Sequence, residues 1–433
     1  MEFKKVPYAK AVHGPEEVNA VLNVLNTTTQ MGRYVDCFEQ KISSSFEHSY
    51  GVMVNSGSSA NLLAVEILDL PEKSEVITPI LTFPTTVSPL LRNKLVPCFI
   101  DVEPGTYLIN HEKIEKYITP NTSAILIPNL IGNMADWEYL RILADKYHLK
   151  LISDSCDTLG ARLKKTNHSE GFYADIITTS FYGSHFINCA GSGGLLAVKD
   201  EFLAEKARVL RSWGRYSSKF QNIETAESVE SRFNKNNNNN KNLINSDLAE
   251  SYDKKFLFSA MGYNLEPSEL GAAFGLEQFK KLPDFLKKRK ENFEKHQDFF
   301  KTYEDILTLP KPNLDWDMAW LSYPITLKNK SNNNLENLGK LSELRNQLQQ
   351  YFESHGIQTR PIFTGNILKQ PGFQNIRHAG AIDFPVADEI MAGGILLGCH
   401  PALSEEMMNH IHEVFEDWVK KLKITHKENA VLA

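Results

Sequence analysis

The chain has 433 residues, 42% of them apolar and 23% charged, the balance of an ordinary globular protein with enough length for two domains. Its net charge of −6 argues against a nucleic-acid binder, and its one basic run, Lys287, Lys288, Arg289 and Lys290, reads as the solvated side of a helix. Residues 1–10 lack a signal-peptide core and no stretch approaches the ~18 apolar residues of a spanning helix, so a cytoplasmic protein with no membrane partner is expected.

Short apolar runs at 51–55, 75–79, 98–101, 124–128, 149–154, 175–181 and 194–198 are predicted as strands. Amphipathic stretches at 60–70 and 136–147 lie between them as predicted helices. Strand and helix in alternation predict an α/β fold with a mostly parallel sheet covered on both faces. Ligands in such sheets sit at the carboxyl ends of strands, so the residues just after each run are the ones to inspect.

After Trp213-Gly214-Arg215 comes a polar insertion at about 216–255 that contains five consecutive asparagines, Asn236 to Asn240. A smaller polar run, 331–334, reads as a surface loop. Residues 271–282 and 284–300 carry apolar side chains at helical spacing, with Pro283 expected to break them into two helices. A strand at 322–327 and a helix near 338–355 follow. The expected division is a large domain over 1–262 and a smaller C-terminal α/β domain over 263–433.

Four places carry candidate chemistry. Gly57, Ser58 and Ser59 lie between a strand and a helix, where first-turn N–H groups either cradle a phosphate or are simply capped by serine. Asp154 ends an apolar strand and is either a turn cap or the partner of a buried cation such as a pyridinium nitrogen. Phe83, in Thr82-Phe83-Pro84, is either a core residue or a flat platform for a ring. His185 follows Ser180-Phe181-Tyr182-Gly183-Ser184, and by itself a histidine is more often a satisfied structural residue than a catalytic one.

Taken together, these pieces resemble the sugar aminotransferase (DegT/DnrJ/EryC1/StrS) family of fold-type I pyridoxal-phosphate enzymes, over about residues 10–416 with the asparagine-rich insertion outside the match. The resemblance implies a seven-stranded, mostly parallel sheet in the large domain. It implies that Gly57, Ser58, Ser59 and Ser180 hold the cofactor phosphate, Phe83 stacks on the ring and Asp154 pairs with the ring nitrogen. Gly262-Tyr263-Asn264 matches a segment whose Asn reaches the phosphate of a second subunit, so a homodimer with a shared site is implied, with Asn264 the shared residue.

Where the family carries its Schiff-base lysine, this chain has His185. The swap resembles the branch of nucleotide-hexose 3-dehydratases that includes the GDP-4-keto-6-deoxymannose enzymes of deoxysugar and O-antigen biosynthesis. Lysine tethers the cofactor and moves protons; imidazole keeps only the second role, with an ordinary pKa near ~6.5 that suits a base. The implied activity is removal of the C3 hydroxyl from a nucleotide-linked 4-keto-6-deoxyhexose, with glutamate as amino donor, pyridoxal or pyridoxamine phosphate as cofactor and His185 as base. Trp213, Arg215, Arg360 and His400 are the residues expected to line the sugar-nucleotide site.

A sister group couples dehydration to a reductase through an iron–sulfur cluster, whose cysteines follow the Trp-Gly-Arg segment. The five cysteines here (Cys37, Cys98, Cys156, Cys189 and Cys399) are scattered, with none between 189 and 399, so neither a cluster, another metal site nor a disulfide framework is expected. The loop after His185 is one residue longer than is usual in the family, Ser192 stands where a Glu often precedes the paired glycines, and Asp157 replaces the usual Gln or His. The alternatives are a sugar-nucleotide 4-aminotransferase using another lysine, such as Lys164 or Lys199, a reductase-coupled CDP-hexose dehydrase, or an inactive homologue.

Overall fold

The computed structural model describes residues 5–219, 252–328 and 335–431. The asparagine run and the polar run 331–334 lie outside the described residues.

Seven strands build the main sheet: β1 (Tyr50–Val54), β2 (Glu75–Pro79), β3 (Val96–Ile100), β4 (Thr122–Pro128), β5 (Lys150–Asp154), β7 (Ile176–Ser180) and β8 (Gly194–Val198). Between β5 and β7, the two-residue strand β6 (Arg162–Leu163) pairs instead with β10 (Trp316–Asp317). The order across the main sheet is β1-β8-β7-β5-β4-β2-β3, and all neighbours are parallel except β8, which runs antiparallel to both β1 and β7. All seven predicted strands are present. An eighth, β13 (Ala379–Gly380), pairs parallel with β3 and comes from the C-terminal part of the chain, where its two residues give no periodic signal.

The pattern on β4 shows why central strands read as unbroken apolar runs. Ile125 and Ile127 face one core with Phe38, Trp137 and Phe181, while Ala124 and Leu126 face a second with Leu63, Ala64 and Leu196. Both faces are buried, as parallel sheets require. A second sheet, β12 (Arg360–Pro361), β14 (Gly394–Gly398), β11 (Ser322–Leu327) and β9 (Leu307–Thr308), is antiparallel and packs in a third core. The amino-terminal segment joins it: Val6 bridges Ile357, and the Tyr8 N–H donates to Gln358 Oε1 at 3.2 Å.

Two expectations are corrected. Pro283 does not divide the chain into two helices; Glu269–Phe300 is one helix of 32 residues with the proline inside it. A mid-helix proline costs about 3 kcal/mol, and burial of Leu282, Phe285, Phe293 and Phe300 along the same helix outweighs it at ~1.5–3 kcal/mol each. The basic run 287–290 is not wholly solvated either, because Arg289 is 1% exposed.

Candidate active site

A cleft of about 600 Å³ opens at the carboxyl ends of β4, β5 and β7, and Arg360, Pro361 and Leu396 of the second sheet close it from the other side. Its floor is Asp154, the last residue of β5, which is 5% exposed. Asn61 Nδ2 and the Thr86 hydroxyl each donate to Asp154 Oδ2 at 2.8 Å, and the Cys156 N–H donates to Oδ1 at 3.2 Å. Asn61 is itself oriented by the Thr178 hydroxyl, 2.5 Å from its Oδ1. The carboxylate is thus an acceptor fixed from helices Gly57–Glu66 and Pro84–Arg92 and from its own loop.

The helix Gly57–Glu66 starts at the cleft edge, and its first-turn N–H groups have no intrahelical acceptor. Ser56 caps it by accepting from Ser59 N–H, and Ser58 Oγ donates to Thr85 Oγ1 at 3.0 Å. Strand β8 passes so close that a Cβ on Gly194 would lie 2.2 Å from the Ser56 carbonyl carbon, so only glycine fits at that crossing. Phe83 is 49% exposed beside the helix start and meets Phe363 edge-on.

His185 lies in the hairpin loop that joins β7 to β8. Phe181 N–H donates to the Gly193 carbonyl at 2.8 Å and Gly183 N–H to Gly191 at 3.1 Å, which closes the loop. Ala190 and Gly191 both take positive φ there, 54° and 110°, and Ser192 Oγ donates to the Asn55 carbonyl at 2.7 Å. The long loop is therefore ordered by its own bonds, and Ser192 fastens it to the segment that begins the helix at Gly57. His185 lines the cleft, and its Nδ1 is buried with no hydrogen-bond partner. Burial, reinforced by the Arg289 charge, pushes its imidazole down to about 4, so at neutral pH it is an uncharged acceptor.

Gly57, Ser58, Phe83, Asp154, Ser180, His185 and Arg360 come together around this cleft. Ser59 points instead to Asn55, donating to its Oδ1 at 2.6 Å. Trp213 and Arg215 do not line the cleft and stack on each other, with the guanidinium 4.7 Å from the ring centroid. His400 is buried outside it, with Nε2 3.0 Å from the Pro7 carbonyl. Asn264 is exposed, and its backbone bridges Ser212.

Sequence reasoning missed Tyr8, Asn61, Thr86 and Arg289 in or beside the site, and left Asp157 without a role. Asp157 lines the cleft, accepts the Ile131 N–H at 2.9 Å, and is pushed up to about 7 by burial and by its neighbour Asp154. Tyr8 accepts from Ser322 Oγ at 2.7 Å, and burial raises its phenol to about 12. A polar residue following an Asp at a strand end is a local signal for Asp157, and Asn61 and Thr86 lie in the helices that begin at Gly57 and just after Phe83; Tyr8 and Arg289 come near through long-range packing alone.

The donor set fits pyridoxal phosphate: a fixed carboxylate for a ring nitrogen, an exposed aromatic face for the ring, and a serine-rich helix start for the phosphate. The class that fold and cleft define is a pyridoxal-phosphate-dependent enzyme with the aminotransferase architecture. Residues 12–416 match the model of the DegT/DnrJ/EryC1/StrS aminotransferase family, and the chain belongs to that family. It is 32% identical to lipopolysaccharide biosynthesis protein RfbH of Salmonella typhimurium, over 95% of this chain and 91% of that protein. It is 29% identical to the GDP-4-keto-6-deoxy-D-mannose 3-dehydratase of Yersinia pseudotuberculosis, over 93% and 96%. Its fold matches that of the E. coli GDP-4-keto-6-deoxy-D-mannose-3-dehydratase with bound hydrated PLP at a TM-score of 0.80 and 27% identity, covering 96% of this chain and 100% of the other.

Proposed function

We propose that this enzyme removes the C3 hydroxyl of a nucleotide-linked 4-keto-6-deoxyhexose in deoxysugar biosynthesis, with glutamate as amino donor and His185 as the proton-moving residue. The observation that carries the reading is that His185 lines the cleft and, among the described residues, no lysine does. Lys164 and Lys199, among the nearer lysines in sequence, are occupied elsewhere, donating to the carbonyls of Leu314 at 2.7 Å and Phe172 at 2.9 Å. The names of the Yersinia and E. coli relatives support the same reaction.

Bound in the cleft, pyridoxal phosphate supplies an electron sink. Asp154, immobilised by Asn61 and Thr86, holds the proton on the ring nitrogen. Gly57, Ser58 and Ser180 bind the phosphate, and Phe83 covers one face of the ring. His185 Nε2 accepts a proton and returns one to the departing C3 oxygen. Arg360 at the cleft rim binds the anionic end of the nucleotide sugar. Asn264, exposed beside the helix Glu269–Phe300, reaches the site of a second copy in a homodimer. The net change converts the sugar and glutamate into the 3-deoxy ketone, 2-oxoglutarate and ammonia, so no external reductant is consumed.

The test is to incubate the enzyme with pyridoxal phosphate, glutamate and a nucleotide-linked 4-keto-6-deoxyhexose labelled with ¹³C at C3. A methylene signal at C3 with release of ammonia is expected. An amine at C4 identifies an aminotransferase instead, and an unchanged sugar across several nucleotides points to an inactive homologue.

A further inference from the structure

Arg289 is a buried charge bonded to the backbone of the His185 loop. It projects from the middle of the helix Glu269–Phe300, is 1% exposed, and has no carboxylate partner among the described residues. Its Nη1 donates to the Leu321 carbonyl at 2.7 Å and its Nη2 to the His185 carbonyl at 3.3 Å. The guanidinium lies 4.7 Å from the ring centroid of Phe186, the residue after His185. Leu321 and His185 line the same cleft from opposite sides, one leading into the second sheet and the other in the hairpin loop of the first. A planar fork with donors on two edges can span two carbonyls in this way; a lysine ammonium has no such fixed geometry.

We propose that Arg289 is the positioning residue of this cleft, fixing the His185 backbone against Leu321 and placing a fixed cation beside the His185 loop. A buried cation held only by carbonyls and an aromatic face leaves its charge uncancelled for its neighbours. The other titratable groups lining the cleft with His185 are Tyr182 in its own loop, Asp154, Cys156 and Asp157 at the end of β5, and Tyr8 and Arg360. After burial itself, Arg289 is the charge that acts on His185. That charge favours the neutral ring.

The proposal rests on His185 being the proton-moving residue, and its test is chosen to stand apart from the identity of the product. Full-length protein with ¹³C-labelled histidine is titrated by NMR between pH 3.5 and 8, with and without pyridoxal phosphate; H185Q identifies the signal. In the parent, the His185 signal is expected to stay in its neutral position above pH 5.5. In R289M it is expected to move upward by about one pH unit. R289K keeps the charge but not the fork, so its titration should follow the parent while kcat falls about tenfold with little change in KM. The proposal is overturned if R289M titrates like the parent. Should R289M not fold, R289Q, which keeps a donor without the charge, takes its place: an unchanged midpoint overturns the proposal and an upward shift supports it. If the product is a C4 amine while the R289M shift is observed, the proposed function fails and Arg289 keeps its role.

Discussion

Around Asp154, donors from two helices and one loop converge on a single carboxylate, whereas around His185 a buried ring nitrogen has no partner and the neighbouring charge is a cation. The two groups share one cleft. A group that must hold one charge throughout a reaction is surrounded by partners for that charge. A group that must gain and lose a proton is left without a partner that would hold it in either state.

The largest expected effects come from erasing either side of this contrast. H185Q removes the proposed proton carrier and should lower kcat by about 10²–10⁴-fold, measured as C3 deoxygenation; activity near the parent level would break the comparison. D154N should cost about 10²-fold or more in kcat while leaving the fold intact, read by turnover and circular dichroism together. A variant with unaltered turnover would mean that the donors around Asp154 are structural only.

Asp157 sharpens the contrast because it sits between the two regimes. Its folded pKa, about 7, lies above the ordinary carboxyl value, so the folded state binds the proton more tightly and stability falls as pH rises from about 4 to about 7. D157N removes that penalty. Thermal unfolding of the unloaded protein should show the variant more stable at pH 8 by on the order of 3 kcal/mol, with a narrower gap at pH 5. An equal gap at both would place the cost elsewhere. The smallest effect is expected from F83A, which should weaken cofactor retention about five- to tenfold by equilibrium dialysis. W213A, outside the cleft, should change it less than about twofold.

Much of the site was legible because its parts sit at fixed offsets along the chain. Gly57 and Ser58 at a helix start, Asp154 at a strand end and His185 after Ser180-Phe181 are local features, and the strands that place them read from their apolar runs. What the sequence concealed is set by distance. Arg289 lies in a charged run typical of a solvated face, and only the packing of the long helix against Leu321 and the His185 loop turns it inward. Pro283 was legible as a proline but not as one that a buried helix tolerates. Trp213, Arg215 and His400 had the right chemistry for a nucleotide-sugar site, yet their pairing with each other or with Pro7 takes them away from the cleft.

The bridge between Val6 and Ile357 has a practical consequence for anyone handling this enzyme. The segment it secures delivers Tyr8 to the cleft two residues later. An affinity tag fused ahead of Val6 would load the segment that carries Tyr8. Kinetic constants should therefore be compared before and after its removal, because a purification handle at this end acts as an unintended active-site mutation.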